Sequence, residues 1–253
     1  MKFTFQHNKK TYRADFSKPI DISIPINDGL NNPNCFYAPA PEFRPVVVGD
    51  FVGAREQGGL INFFNIKINP HGNGTHTECV GHIAKEKYSI NQCLESYHFL
   101  CKLVSVFPQK TENGDRVIFR DQIAELFKKE ATKAIVIRTL PNDALKLKTN
   151  YSGANPTYMH YEAVIYLVEC GVEHLLIDLP SVDREEDEGK LLAHKAFWQY
   201  PDNVRKNCTI SELIYANNDI KDGLYLLNIQ TASFELDVSP SKPILYKLKQ
   251  FSE

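Results

Sequence analysis

The sequence predicts a mixed α/β fold, and three observations carry that expectation. The run Ala134-Ile-Val-Ile137 is apolar and β-branched, as a strand requires. Val164, Leu167 and Val168 follow it at helical spacing, and His174 to Asp178 is strand-like again. A strand, a helix and a strand in that order imply a parallel pair joined by a right-handed crossover.

The remaining elements follow from local pattern. Phe64, Ile66 and Ile68 alternate with Asn65, Lys67 and Asn69, which is the period of a strand, and Pro70 ends it. Asp121 is placed to cap a helix whose Ile123, Leu126 and Phe127 share one face, leading into the run at 134. Asn155-Pro156 reads as the start of the second helix, with Pro at its first position and Gly171 closing it. Later strands are expected at Leu224 to Ile229 and at Ile244 to Leu248. With no repeat, low-complexity tract or Gly/Ser linker to mark a boundary, residues 1–253 are expected to form a single domain.

Hydrophobic residues make up 43% and charged residues 24% of the chain, the composition of a globular protein with a core of its own. Lys and Arg number 29 against 31 Asp and Glu, so a formal charge of −2 offers no general attraction to nucleic acid or an anionic membrane. A small-molecule partner is the expectation. The amino terminus lacks the apolar stretch of a signal peptide, and no segment approaches the ~20 apolar residues that span a bilayer. The six cysteines are scattered without a C-x-x-C pair, which fits reduced thiols and a cytoplasmic location.

The chemistry concentrates in His71-Gly-Asn-Gly-Thr-His-Thr-Glu-Cys-Val-Gly-His82, where three histidines and one glutamate fall within twelve residues directly after a strand. Imidazole and carboxylate suit zinc and other first-row divalent ions, and the absence of cysteine pairs argues against a closed structural zinc site. Gly72, Asn73 and Gly74 are expected to take positive φ and turn both rings toward one point. His76 and Glu78, two apart, share a side if the chain is extended there. Cys79 reads as a partly buried spectator thiol rather than a nucleophile.

This segment resembles the H-x-G-T-H-x-D-x-P-x-H motif of the cyclase-like family of metal hydrolases, which includes bacterial kynurenine formamidase and isatin hydrolase. Gly74-Thr75-His76 and the trailing His82 match in order and spacing; an extra residue precedes Gly74, Glu78 replaces the Asp and Val80 the Pro. Asp21-Ile-Ser-Ile-Pro-Ile26, Asp178-Leu-Pro-Ser-Val-Asp183, Ala193-His194 and Ile210-Ser-Glu212 extend the likeness through most of the chain. The resemblance implies a cyclase-like swivelling β/β/α fold and a homo-oligomer. It makes His71, His76 and Glu78 the ligands of a first divalent ion, zinc or alternatively manganese. His194 and Glu212 would complete a second site with Glu78 bridging, and His82 would be the unligated acid/base.

Each of these residues has a plainer reading. His194 sits in an expected helix with Leu191 and Phe197, as a core histidine would. Thr209-Ile-Ser-Glu212 fits a helix capping box, and the acidic run Asp183 to Glu188 reads as a solvated face or helix start rather than a metal cage. The expected activity is C–N hydrolysis of an aryl formamide of the N-formylkynurenine type, with Phe36, Tyr37, Phe43 and Trp198 as an aromatic wall. The competing readings are a lactam or ester hydrolase of the same family, a non-catalytic metal or small-molecule binding module, and a metal-free enzyme using Cys79.

Overall fold

A computed structural model describes residues 1–129 and 132–251. Its strands and helices run β1 (Lys2–His7), β2 (Lys10–Asp15), β3 (Glu42–Pro45), β4 (Phe64–Lys67), α1 (Pro70–Asn73) and β5 (His76–Glu78) through the first third. They continue with β6 (His98–Val106), α2 (Arg120–Leu126), β7 (Ala134–Thr139), α3 (Tyr161–Glu169), β8 (His174–Ile177) and α4 (Leu192–Trp198). The chain finishes with β9 (Thr209–Glu212), β10 (Gly223–Asn228), β11 (Val238–Pro240) and β12 (Ile244–Phe251). Among the described residues no helix is long and apolar enough to cross a membrane.

One large mixed sheet organises the molecule, in the order β1-β2-β12-β10-β6-β7-β8-β9-β5-β11. Strands β6, β7, β8 and β9 are parallel, so the expected pairing of 134–139 with 174–177 across α3 is observed, with Ala134 opposite His174. Side chains alternate across β7. Ile135 and Ile137 pack under the helices with Ile123, Val164, Leu167 and Phe197, while Ala134 and Val136 face Leu103, Tyr225 and Leu227 on the other side. A strand covered on both faces has no polar position to fill, which is why 134–137 carries none.

Three boundaries differ from the sequence expectation. Asp121 is the second residue of α2 rather than its cap; the Gln122 side chain accepts the Phe119 N–H at 3.0 Å and ties off the helix start instead. Helix α3 begins at Tyr161, not at Pro156, because Asn155 takes φ 47° and Tyr158–Met159 pairs as a short strand with Val117–Ile118. The Gly171 stop holds, with φ 86°. Thr209–Glu212 is no capping box: it is strand β9, held between β8 and β5. A capping pattern needs a free helix start, and the sheet claims these backbone groups first.

His174, at the start of β8, is buried with Nδ1 2.9 Å from Thr209 Oγ1 and its ring 3.9 Å from that of Phe99. Burial, with Lys133 and Arg205 nearby, pulls its pKa down to about 3. The unfolded chain therefore takes up a proton below ~6.5 that the native state refuses, so this contribution to stability is complete above ~6.5 and is lost as pH falls toward 3. Between pH 7 and pH 5 the loss is about 2 kcal/mol. His174→Gln is expected to flatten that part of the curve in urea unfolding at the two pH values; equal losses in both proteins would count against it.

Candidate metal centre

The site forms toward the β11 edge of the sheet, on β9, β5 and the residues just before β11. Strand β5 lies between β9 and β11, with Glu78 opposite both Ile210 and Val238, and His76 opposite Glu212. His76 and Glu78 project from the same face of β5, as their spacing predicted. His71 comes from the single turn of α1, whose Asn69 cap accepts the Gly72 N–H at 3.1 Å, and His82 from the 3₁₀ turn Val80–His82. His194 enters from α4. The expectation of positive φ at 72–74 is not met. These glycines are demanded by space: a Cβ on Gly72 would stand 2.3 Å from that of Ala38, and one on Gly74 2.9 Å from the Ile26 side chain.

All six residues singled out from sequence converge. Glu78 is fully buried at the centre, with Oε1 3.2 Å from His194 Nε2 and Oε2 3.2 Å from His71 Nδ1. His82 Nδ1 stands 3.7 Å from Glu78 Oε2, His76 Nε2 3.4 Å from Glu212 Oε2, and His194 Nε2 3.9 Å from Glu212 Oε1. The other oxygen role of Glu212 is structural, since its Oε1 accepts the Val182 N–H at 2.9 Å.

Two residues that the sequence reading missed hold these rings. Asp183 accepts from the backbone N–H groups of Ala193 and His194 and lies 2.6 Å from His194 Nδ1. The acidic run is thus solvated only beyond its first member; Asp183 is buried and belongs to the site. Asp237 Oδ2 lies 3.0 Å from His71 Nε2 and 3.5 Å from His82 Nδ1. His71, His76 and His194 therefore each have one nitrogen turned to the Glu78–Glu212 centre and the other secured outside it, with the Gly74 carbonyl at 2.9 Å from Nδ1 doing this for His76, whereas His82 meets both Glu78 and Asp237 through the same Nδ1. A carboxylate or carbonyl behind an imidazole fixes its tautomer and raises its basicity. Asp183→Asn is expected to weaken zinc binding by ~10- to 100-fold in a competition titration, and an unchanged affinity would remove Asp183 from the site.

Electrostatics follow from this crowding. Burial opposes the charge on Glu78, yet His82, His194 and His71 hold its carboxyl well below the usual range. Burial likewise opposes protonation of His71, but Asp237 and Glu78 outweigh it and raise the ring to about 10. His194 is raised well above its ordinary value against burial, by Asp183, Glu78 and Glu212.

The donor set fits a divalent cation. His76 Nε2 and Glu78 Oε2 are buried with no hydrogen-bond partner, and such orphaned atoms are costly unless a cation lies between them. Nδ1 of His76 faces a carbonyl and so carries the proton, which leaves the Nε2 lone pair aimed at a carboxylate oxygen; two acceptors meeting this way call for a positive charge. Ligand atoms of His71, His76 and Glu78, and those of Glu78, His82 and His194, all lie within 4.8 Å of one another. Imidazole and carboxylate donors suit zinc or manganese.

A cavity of about 290 Å³ opens onto this centre, with His71, His82, His194, Glu212, Cys35 and Phe36 in its wall. Of the expected aromatic wall only Phe36 lines it. Tyr37 points into solvent, Phe43 lies in the β3 ribbon, and Trp198 is in the core, its ring stacked 5.6 Å from that of His194 and its indole N–H donating to the Cys208 carbonyl at 2.8 Å. Cys79 is buried in the apolar cluster with Cys93, and that contact and burial push its thiol up, so it offers no nucleophile.

Residues 20–184 match the model of the family described as "Putative cyclase". No curated protein matches the sequence. Among solved structures, one titled as a potential metal-dependent hydrolase with cyclase activity superposes with a TM-score of 0.66 at 18% identity, over 90% of this chain and 97% of that one. A predicted metal-dependent hydrolase from Bacillus stearothermophilus gives 0.62 at 19%, over 90% and 98%. An isatin hydrolase bound to the product analogue thioisatinate gives 0.64 at 14%, over 92% and 93%. At these identities the likeness is one of fold, and it supports the α/β class read from the sequence.

Proposed function

Because the chain belongs to the cyclase family, we propose that it is a metal-dependent hydrolase of C–N bonds, with an aryl formamide as substrate. The observation that carries this reading is the buried Glu78 carboxylate, whose two oxygens face imidazoles on opposite sides, 3.2 Å from His71 and 3.2 Å from His194. His71 and His76 with Glu78 would hold one ion, and His194 and Glu212 with the same Glu78 a second. When bound, such an ion supplies Lewis acidity toward a carbonyl and makes a water acidic enough to attack near neutral pH.

The protein's own groups do the rest. His82 is the most exposed of the four rings, with 31% of its side chain accessible, and it lies in the cavity wall. No carbonyl or carboxylate holds it as closely as the other three are held, so it is free to take a proton from water and deliver it to the leaving nitrogen. Asp237, shared by His71 and His82, keeps both rings turned inward. Phe36 gives one apolar wall for a single aromatic ring, and a volume near the low end of small-molecule sites suits a compact substrate.

The test is formate release from N-formylkynurenine by protein loaded with zinc or manganese. Turnover would support the formamidase assignment. No turnover, with ring opening of a lactam such as isatin instead, would move the substrate to another branch of the family and leave the hydrolase reading in place. No turnover on formamides, lactams or esters would end it.

A further inference from the structure

We infer that Arg184 is the residue by which this site selects its substrate, pairing with a carboxylate carried at the end away from the scissile bond. The inference rests on the proposed function for the reaction and adds the group by which the substrate is chosen. Arg184 stands in the wall of the metal cavity with His71, His82 and His194, and among the described residues it is the only lysine or arginine there. Its side chain is 41% accessible, so it is open to a ligand.

The guanidinium is held from behind. Nε donates to Asp115 Oδ2 at 3.1 Å, Nη2 reaches Asp115 Oδ1 at 3.5 Å, and Nη1 donates to the Glu186 carbonyl at 2.9 Å. Asp115 is buried and is itself fixed by Asn155 Nδ2 at 2.8 Å and the Tyr158 hydroxyl at 2.9 Å. A guanidinium has five N–H groups, so one on each terminal nitrogen has no partner among the described residues. That pair of donors matches the two oxygens of a carboxylate, and a fork fixed in advance avoids the ordering cost of a loose side chain. The backbone below it is tied to the metal centre, since the Val182 N–H donates to Glu212 at 2.9 Å and Asp183 holds His194. Arg184 therefore keeps a set place relative to His194 and Glu212.

The acidic side chains of the same wall are engaged elsewhere. Asp183 is committed to His194, Glu185 accepts the Gly153 N–H at 2.8 Å, and Asp187 accepts from Gly189 at 2.9 Å and from Leu191 at 2.6 Å. Their oxygens serve the backbone and the His194 ring, whereas Arg184 keeps two donors for a ligand. Asp183, Arg184 and Asp187 also border a second recess of about 200 Å³ lined by Tyr158, His160 and Tyr161. Arg184 thus stands where the two spaces meet. This favours a carboxylate on a tail, which reaches the junction while the aromatic ring stays in the metal cavity with Phe36.

Kynurenine and kynuramine test this, because they share the ring and the ammonium and differ by one carboxylate. Calorimetric titration of the full chain, with and without zinc, is expected to show kynurenine binding ~10- to 100-fold more tightly, the effect of a charge-assisted pair. The zinc-free arm shows that the carboxylate is not held by the ion. Arg184→Ala should bring the two affinities together, and Arg184→Lys should keep part of the preference. A distorted pocket would weaken both ligands alike, so the ratio reports recognition rather than folding. With zinc-loaded protein, Arg184→Ala should raise KM for N-formylkynurenine and leave kcat nearly unchanged. A preference for kynurenine without formate release would keep this inference and end the formamidase assignment. Equal binding of the two ligands, a preference for kynuramine, no binding of either, a preference seen only with zinc, or one that survives Arg184→Ala overturns the inference.

Discussion

Glu78→Gln is expected to abolish tight zinc binding, lowering affinity by more than the ~10- to 100-fold that changes behind a ligand cost. The amide keeps the shape of the side chain and removes its charge, so the result isolates the carboxylate. In the native protein that charge is faced by His71, His82 and His194 at 3.2, 3.7 and 3.2 Å in a fully buried position. Without it the metal-free protein leaves the raised rings of His71 and His194 with only Asp237, Asp183 and Glu212 as counter-charges, and breaking one side of a buried pair in this way costs up to about 3–5 kcal/mol. Two readouts follow. A chelator competition should show the lost affinity, and thermal unfolding should show a wild type stabilised by zinc beside a variant that is not. A variant that still binds zinc tightly would mean that Glu78 is not a ligand.

His82→Ala separates chemistry from binding. A positioned acid/base contributes ~10²–10⁴ in rate, so turnover should fall by that factor while the zinc content of the purified protein stays unchanged. A binding module that has lost catalysis would show no change in either quantity. Loss of zinc together with turnover would instead make His82 a ligand, which the 4.8 Å grouping of Glu78, His82 and His194 allows geometrically. Measuring both quantities on the same sample distinguishes the outcomes.

What the sequence revealed tracks how local the controlling physics is. The buried runs at 134–137 and 175–177 are legible because a strand covered on both faces is apolar along the stretch so covered, whatever lies beyond it. Pro156 and Thr209–Glu212 misled because their signals are local and the sheet overrides them: Tyr158–Met159 and β9 pair with distant strands before any helix can start. Glu78 stood out with His71, His76 and His82 because the four share one short segment, whereas His194 and Glu212 were reached only through the family resemblance. Asp237 gave no signal. Its place beside His71 is set by the pairing of β11 with β5, about 160 residues away in sequence, and no neighbour in the chain announces it. Asp183 was visible as a residue, but its acidic neighbours at 185–188 are exposed or half-buried and made it look like one of a solvated run.

Strand β5 has both of its neighbours in the last fifth of the chain, β9 at residues 209–212 and β11 at 238–240. During synthesis the histidine-bearing segment therefore leaves the ribosome long before anything exists to clamp it. A nascent chain carries these side chains on an unanchored stretch, and the pocket closes only once residues 238–240, about 160 positions later, have been made. Assembly of the centre consequently waits on residues far downstream, and a truncation that removes β9 and β11 would erase the centre while leaving every residue of the histidine motif present.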